Sequence, residues 1–258
     1  MDKPAIILVP GAWHLTDHYE GLNKRLQAYG YVVNAVNLPS TVPKDGTYPE
    51  DLQPDIDVIR NAALAELEHS NVLFVMHSYG GFPGSSAAEG LDAKTRAAQG
   101  HKTYVQGMVY ICAFMTAAGT SLLDGVGGKP APIHDITSDG LVNVSGDPKW
   151  WFYHDCPAGE ADRAVSMLRS QAWAVSLCPG RYTAYKDIPT SYLLCEHDRA
   201  LPVAAQKSFV DAARAAGSKI HAEQLASGHS PFLSKPKETV DFIRRVAGED
   251  IPSTLQTY

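Results

Sequence analysis

The 258-residue sequence predicts an α/β fold, with a mostly parallel sheet and helices on both of its faces. Short apolar runs rich in β-branched residues alternate with longer amphipathic stretches, which is the pattern of strands and crossover helices. Reactive side chains also directly follow several predicted strands, and the carboxyl ends of parallel strands are where such sheets gather functional groups. The length suits one domain, so we expect residues 1–258 to form a single unit.

Strands and helices are both predicted from local patterns. Apolar runs bounded by turn-forming residues are predicted strands, at residues 6–9, 31–36, 72–76, 105–113, 191–195 and 219–225. Amphipathic stretches with apolar residues at helical spacing are predicted helices, at residues 17–28, 52–68, 202–216 and 237–246. In the first helix, Leu22 and Leu26 share one face and Gly30 follows as a C-cap.

Residues 116–186 interrupt this alternation, since no strand is obvious there. Residues 147–153 and 159–175 are predicted helices, so the segment is expected to be a helical lid inserted between two strands. It contains an aromatic run that includes Trp151 and Phe152, which must pack against an apolar surface. Both residues are candidate substrate contacts, and packing of the lid onto the body remains the alternative for each.

The composition is typical of a globular protein whose partner is a small molecule. Hydrophobic residues make up 45% and charged residues 19%, and the formal net charge is -6. A nucleic-acid partner is not expected, because phosphate binding requires a basic face and no dense Lys/Arg run is present. No apolar run approaches the ~20 residues of a membrane helix, and no signal peptide is recognised. We expect a cytoplasmic protein without a membrane partner, and a homodimer is left open.

Neither disulfides nor metals are expected. Cys156 and Cys178 could pair, but a reducing cytosol favours free thiols, and no CxxC spacing is present. His14 and His18 have a spacing that could seat a metal on one helical face, yet no third ligand is evident. A dinucleotide site is not expected either, since Gly11 stands alone after the first strand, where three spaced glycines are required.

A candidate nucleophile follows the third predicted strand, in the run Met76-His77-Ser78-Tyr79-Gly80-Gly81. A Ser between a buried strand and a glycine-rich helix start is typical of a nucleophile elbow, which exposes the hydroxyl at the end of the sheet. The backbone N–H of Tyr79 would then point toward a developing oxyanion. Met76 stands where the G-x-S-x-G pattern has its first glycine, so an ordinary glycine-rich turn is the alternative when this motif is taken alone.

Two further residues complete a catalytic triad in the expected order. Asp198 lies in the loop after the fifth predicted strand, and His229 lies in the loop after the sixth. The order Ser, acid, His along the chain is that of α/β-hydrolases. His229 would take the proton of Ser78, and Asp198 would hold the imidazole in the required tautomer. Glu196 is the rival acid, but its place at the strand end favours a structural role.

The run Pro10-Gly11-Ala12-Trp13-His14 after the first strand resembles the oxyanion loop of α/β-hydrolases of the plant methylesterase and hydroxynitrile-lyase branch. The resemblance covers nearly the whole chain, from this loop through Ser78 to His229. It implies an α/β-hydrolase fold, Ala12 N–H as the second oxyanion donor beside Tyr79 N–H, and Trp13 and His14 at the border of the pocket. Two residues depart from the family pattern, namely Pro10 and Met76.

These observations predict a serine hydrolase that needs no cofactor and cleaves a carboxylic ester or lactone of a small hydrophobic molecule. A lyase or cyclase that uses the same triad for acid/base chemistry is the first alternative. The resemblance bears on it, because the lyases have a Lys directly after the catalytic His, where this sequence has Ser230. A non-catalytic ligand receptor on the same fold is the second alternative, since a fold does not determine function.

Overall fold

A mostly parallel, seven-stranded sheet forms the centre of the computed structural model, which describes residues 3–258. Its strands lie in the order β10-β9-β8-β4-β3-β1-β2. Their bounds are β1 Ala5–Val9, β2 Val33–Ala35, β3 Val72–His77, β4 Val105–Ile111, β8 Thr190–Cys195, β9 Ile220–Leu225 and β10 Gln256–Thr257. Every neighbouring pair is parallel except β9 and β10. The six predicted strands are therefore confirmed, and β10 was missed because two residues carry no periodic signal.

Helices cover both faces of this sheet, as predicted. Their bounds are α1 Glu20–Ala28, α2 Gln53–Glu66, α3 Gly81–Ala87, α4 Ala93–Ala98, α5 Leu122–Gly125, α6 Pro148–Phe152, α7 Ala158–Met167, α8 Val203–Ala215, α9 Pro231–Ser234 and α10 Pro236–Val246. Ile59 of α2 and Val210 of α8 belong to the hydrophobic cluster on one face. Leu26 of α1 and Ile243 of α10 belong to the cluster on the other face. Alternate strand residues belong to one cluster or the other, because successive side chains of a strand point to opposite faces of the sheet.

The inserted segment contains strands as well as helices, which corrects the expectation that it is purely helical. A small antiparallel sheet is formed by β5 His134–Ile136, β6 Leu141–Val144 and β7 Gln171–Ala172. The helix expected at 159–175 ends at Met167, and the chain then extends to pair with β6. Strands of two to four residues are too short to show an alternating pattern, so the sequence offered no signal for them. We call residues 116–186 the lid.

Other features of the described chain bear on the remaining expectations. None of the helices within residues 3–258 has both the length and the apolar character needed to cross a bilayer. Cys112, Cys156, Cys178 and Cys195 are all free thiols.

Candidate active site

Ser78 lies at a strained turn between β3 and the helical segment that leads into α3. Its φ is 52°, in the left-handed region that non-glycine residues rarely adopt. The turn is tightly packed: a Cβ on Gly80 would lie 2.5 Å from the carbonyl oxygen of Pro10, and one on Gly81 would collide with the carbonyl oxygen of Phe114. The glycines after Ser78 are thus required by the close approach of neighbouring backbone. This is the geometry of a nucleophile elbow.

Met76 occupies the place of the usual elbow glycine, and the structure shows how it is accommodated. A Cβ on Gly84 of α3 would collide with the sulfur of Met76. The space that a side chain at residue 84 would fill is therefore occupied by the thioether, which is fully buried. The departure from the motif is thus compensated by Gly84, six residues after Ser78 in α3.

The three predicted triad residues come together at the carboxyl end of the sheet. His229 Nε2 lies 3.0 Å from Ser78 Oγ, and His229 Nδ1 lies 2.7 Å from Asp198 Oδ2. All three residues are buried, with His229 only 2% exposed. The rival acid, Glu196, is exposed and makes no hydrogen bond with His229 among the described residues. The geometry therefore pairs His229 with Asp198.

Asp198 is held by donors that sequence inspection did not identify. The backbone N–H groups of Ala200 and Leu201 both donate to its Oδ1 at 2.8 Å. The side-chain amide of Gln206 on α8 donates to Oδ2 at 3.1 Å and is itself fully buried. These donors leave His229 Nδ1 as the remaining close partner of Oδ2, so the carboxylate is fixed in the orientation that the imidazole requires. Gln206 carried no motif, and nothing in the sequence links this residue of α8 to Asp198 in the loop before the helix.

Both residues predicted to supply oxyanion donors lie at the cavity beside Ser78. Ala12 and Tyr79 both line it, and Ala12 N–H donates to no acceptor within residues 3–258. A Cβ on Gly11 would lie 2.8 Å from His77 Nδ1 and 3.0 Å from Ser78 Cβ, so only glycine lets the loop approach the nucleophile this closely. The structure thus brings the two predicted oxyanion donors to the same wall as Ser78.

A buried hydrogen-bond chain connects this loop to His229. Gly11 N–H donates to Tyr19 Oη at 3.0 Å, and Tyr19 Oη lies 2.7 Å from His77 Nδ1. His77 Nε2 lies 2.8 Å from the carbonyl oxygen of His229, which can only accept, so Nε2 carries the proton and Nδ1 accepts from Tyr19. Burial, with the neighbouring His229, lowers the pKa of His77 well below its usual value. The neutral ring therefore links Gly11 to His229, a role for Tyr19 that the sequence did not reveal.

The four predicted substrate contacts divide into two pairs. Trp13 and Phe152 line the cavity. His14 instead lies behind the loop, where its Nδ1 donates to the carbonyl oxygen of Ala12 at 2.6 Å and its Nε2 accepts from Tyr153 Oη at 2.9 Å. Trp151 lies in the lid, with its indole N–H donating to the carbonyl oxygen of Ser145 at 2.7 Å. His14 and Trp151 are therefore outside the cavity lining, which corrects the expectation that they contact the substrate: both nitrogens of His14 are held by protein partners, and Trp151 bonds within the lid.

The nitrogens of the clustered histidines are occupied by protein partners. His14 and His18 have ring centroids 4.7 Å apart. His18 Nδ1 accepts from Leu15 N–H at 2.9 Å, and its Nε2 donates to the carbonyl oxygen of Ala164 at 3.0 Å. With both nitrogens of His14 likewise engaged, this pair offers no lone pair to a metal ion.

The cavity above Ser78 has a volume of about 260 Å³ and lies between the sheet and the lid. Its walls are mainly apolar, and the following side chains contribute to them: Phe114, Leu122, Val126, Ile133, Val142 and Phe152. No Asp, Glu, Lys or Arg lines it among the residues that the structure describes. Such a cavity suits a neutral, largely apolar molecule of modest size.

Comparison with known proteins agrees with this architecture. A family model described as "Alpha/beta hydrolase family" matches residues 6–242. The chain is 33% identical over 257 residues to the alpha/beta hydrolase nvfD of Aspergillus novofumigatus, covering 97% of this chain and 99% of that protein. It is 30% identical to the probable hydrolase R7 of a Phoma species, covering 96% and 100%.

A solved structure shows the same fold at lower identity. The methylesterase from Arabidopsis superposes with a TM-score of 0.71 at 19% identity, covering 94% of this chain and 98% of that one. The elbow, the order of the triad along the sheet and the family match lead to one conclusion: this chain belongs to the alpha/beta hydrolase family.

Proposed function

We propose that the protein is a serine hydrolase that cleaves a carboxylic ester or lactone of a small, neutral, hydrophobic molecule. The observation that carries this proposal is the continuous chain from Ser78 Oγ through His229 to Asp198, at 3.0 and 2.7 Å, at the base of an uncharged cavity. Its expected partner is therefore a small molecule, and the chemistry requires no cofactor.

The mechanism follows from the positions of these atoms. Ser78 Oγ attacks the carbonyl carbon while His229 Nε2 takes the hydroxyl proton, and Asp198 stabilises the imidazolium that results. The backbone N–H groups of Ala12 and Tyr79 receive the oxyanion. Collapse of the intermediate expels the alcohol, which takes the proton from His229 and leaves an acyl group on Ser78. Water then attacks the acyl group with His229 as base, releasing the acid and restoring Ser78.

The surroundings of His229 favour hydrolysis over the lyase alternative. A lyase must stabilise a departing anion, and a cation beside the catalytic histidine would supply that stabilisation. Ser230 occupies the adjacent position and is fully buried and neutral. Lys235 is the nearest downstream cation in sequence, and it is outside the cavity lining. Water, which an ester hydrolase consumes, needs no such charge.

Labelling and turnover test this proposal. A fluorophosphonate is expected to modify Ser78, and Ser78→Ala is expected to abolish both labelling and ester turnover, with kcat lower by about 10⁶-fold. Ser208→Ala is the matched control, because Ser208 is an exposed serine of α8 whose hydroxyl contacts only Ala205. Unchanged turnover in Ser78→Ala would exclude the covalent mechanism.

A second test separates hydrolase from lyase. Short-chain aryl esters should be hydrolysed and cyanohydrins left intact, and a cyanohydrin rate equal to the ester rate would favour the lyase.

A further inference from the structure

The inner face of the small lid sheet brings polar groups to the far wall of the cavity. Val142 of β6 pairs with Gln171 of β7, and both side chains line the cavity together with His134 of β5. Ser176, in the turn that follows β7, lines it as well. None of these residues belongs to the triad or to the oxyanion loop. The lid therefore adds polar atoms to a cavity whose remaining walls are mainly apolar.

The orientation of the Gln171 amide is determined by a buried network beneath it. Asp55 is completely buried and accepts from Ser40 N–H at 2.9 Å, from Ser40 Oγ at 2.6 Å and from Tyr79 Oη at 2.7 Å. Burial raises the pKa of Asp55, and the hydrogen bonds from Ser40 and Tyr79 oppose that rise. Because all three groups donate to Asp55, the carboxylate is the form that this network suits.

This network leaves one acceptor of Gln171 without a protein partner. The single hydroxyl proton of Ser40 is directed to Asp55, so Ser40 Oγ must accept from the amide nitrogen of Gln171, which lies 3.2 Å away. Oε1 is therefore the other amide atom, and within residues 3–258 it accepts no hydrogen bond. Gln171 as a whole is 2% exposed and lines the cavity. An acceptor without a protein partner on a residue of the cavity wall favours a ligand that donates to it.

His134 supplies the complementary donor. Its Nδ1 accepts from Ala131 N–H at 3.1 Å, which requires the proton of the neutral ring to be on Nε2. Burial lowers the pKa of His134, in agreement with a neutral ring. Nε2–H has no acceptor among the described residues. The lid residues that line the cavity thus include a free donor on His134, a free acceptor on Gln171, and the hydroxyl of Ser176, which can act as either.

We propose that His134, Gln171 and Ser176 form a subsite for a hydroxyl group on the part of the substrate remote from the scissile bond. A hydroxyl donates to Gln171 Oε1 and accepts from His134 Nε2–H, whereas a ketone or ether has no proton to donate. An ammonium group would require a carboxylate, and within the described residues no Asp or Glu lines the cavity. Where it concerns turnover, this inference rests on the proposed function. The preferred substrate would then be a hydroxylated ester or lactone with an otherwise apolar skeleton.

Paired esters test the subsite. Methyl esters of cyclohexane- and decalin-carboxylic acids are compared with the same esters that carry one hydroxyl, placed at different ring positions. At least one pair is expected to show about tenfold higher kcat/KM for the hydroxylated member, since an unmade hydrogen bond leaves a buried polar group unpaired. Gln171→Leu should reduce this ratio to about one, and His134→Phe should reduce it independently, which guards against a folding defect in either variant.

The matched control is Asn143→Leu. Asn143 lies next to Val142 in β6 but contacts Ser170, on the opposite face of the same sheet, so the ratio should stay at its wild-type value. Calorimetric binding of the hydroxylated and plain esters to Ser78→Ala gives a readout without turnover, and about tenfold tighter binding of the hydroxylated member is expected.

Failure of this inference and failure of the proposed function give different results. If no ester is cleaved but the hydroxylated members bind Ser78→Ala more tightly, the subsite stands and the hydrolase proposal falls. If esters are cleaved and no pair shows a preference, or if Gln171→Leu keeps the preference, the subsite proposal is overturned.

Discussion

The carboxyl edge of the central sheet and the lid differ in how their positions are determined. At the sheet edge, Ser78 directly follows a strand, and Asp198 and His229 lie in the loops just after theirs. Parallel strands that are close in the sheet bring those ends together. In the lid, short strands and helices are held by contacts between residues far apart in sequence. Trp13 of the body, for example, donates from its indole to the carbonyl oxygen of Val142 at 2.9 Å.

The two regions are joined through the oxyanion loop. The carbonyl oxygen of Trp13 accepts from Arg169 N–H at 3.0 Å, and His14 accepts from Tyr153 Oη at 2.9 Å. Backbone and side chains of residues 13–14 therefore hold the lid, while Gly11 and Ala12 lie against Ser78. Under the proposed function, the chemistry would belong to the sheet edge and the selectivity to the lid, with a short loop between them.

After Ser78→Ala, the largest expected effect comes from the acid at the sheet edge. Asp198→Asn should keep the fold and lower kcat by about 10⁴-fold, because the amide holds the imidazole in the wrong tautomer. Glu196→Gln is the matched control, since that exposed carboxylate is outside the triad, and its effect should be small. Steady-state kinetics on an aryl ester measures both, and the opposite ranking would mean that Glu196 is the acid.

The next effect tests the chain that connects the oxyanion loop to His229. Tyr19→Phe removes the acceptor of Gly11 N–H and the donor to His77, leaving two buried groups unpaired. We expect kcat to fall about tenfold and the free energy of unfolding to fall by about 1–3 kcal/mol. Tyr31→Phe is the control, because the Tyr31 hydroxyl contacts Glu249, away from the cavity. Fluorophosphonate labelling of Ser78 should keep its wild-type rate in Tyr31→Phe and slow in Tyr19→Phe. Equal labelling rates in the two variants would contradict a positioning role for Tyr19.

The pH dependence of the free energy of unfolding tests the environment of the buried histidines beside the loop. Burial, with neighbouring histidines, lowers the pKa of both His14 and His77 well below 6.5. Below about pH 6.5 the unfolded chain takes up protons at these positions and the folded chain does not, so the free energy of unfolding falls as pH falls. Each histidine should lower the free energy of unfolding by about 1.4 kcal/mol for each pH unit below that value, and should have no effect above it.

Urea unfolding between pH 5 and 7 measures this dependence. His14→Gln should reduce the slope by one histidine's share, whereas His101→Gln should not, because His101 is exposed. An unchanged slope in His14→Gln would show that this ring is protonated in the folded protein.

The smallest expected effect concerns the attachment of the lid. Tyr153→Phe removes the hydrogen bond to His14 and should destabilise the lid by about 0.5–1.5 kcal/mol. Amide hydrogen exchange should then accelerate in residues 148–167 by a factor of about 2 to 12, with the central strands unchanged. Tyr182→Phe, which removes a surface contact with Asp187, is the control. Equal acceleration throughout the chain would mean that the lid does not open as a separate unit.

Much of the fold was predictable because its signals are local. Buried strands such as β3 and β8 are short apolar runs, and helices such as α8 show the 3.6-residue period, so their existence and order were predicted correctly. The lid sheet was not, since β7 has two residues and its pairing partner β6 ends 27 positions before it begins. The predicted helix at 159–175 was correct as far as Met167 and wrong beyond it, since Gln171 and Ala172 pair with β6, a partner that is not local in the sequence.

By itself, the sequence determined the order of the parallel strands along the chain, and it predicted the three residues after them that the fold brings together, with the roles of nucleophile, acid and base. These are properties of neighbouring residues, namely an apolar run and the reactive side chain that comes after it. Only the tertiary structure decided that Gln206 holds Asp198, that Tyr19 joins Gly11 to His77, and that His14 faces away from the cavity. The partners of Tyr153 and Gln171 are His14 and Ser40, 139 and 131 residues away, and contacts over such separations leave no periodic trace in the sequence.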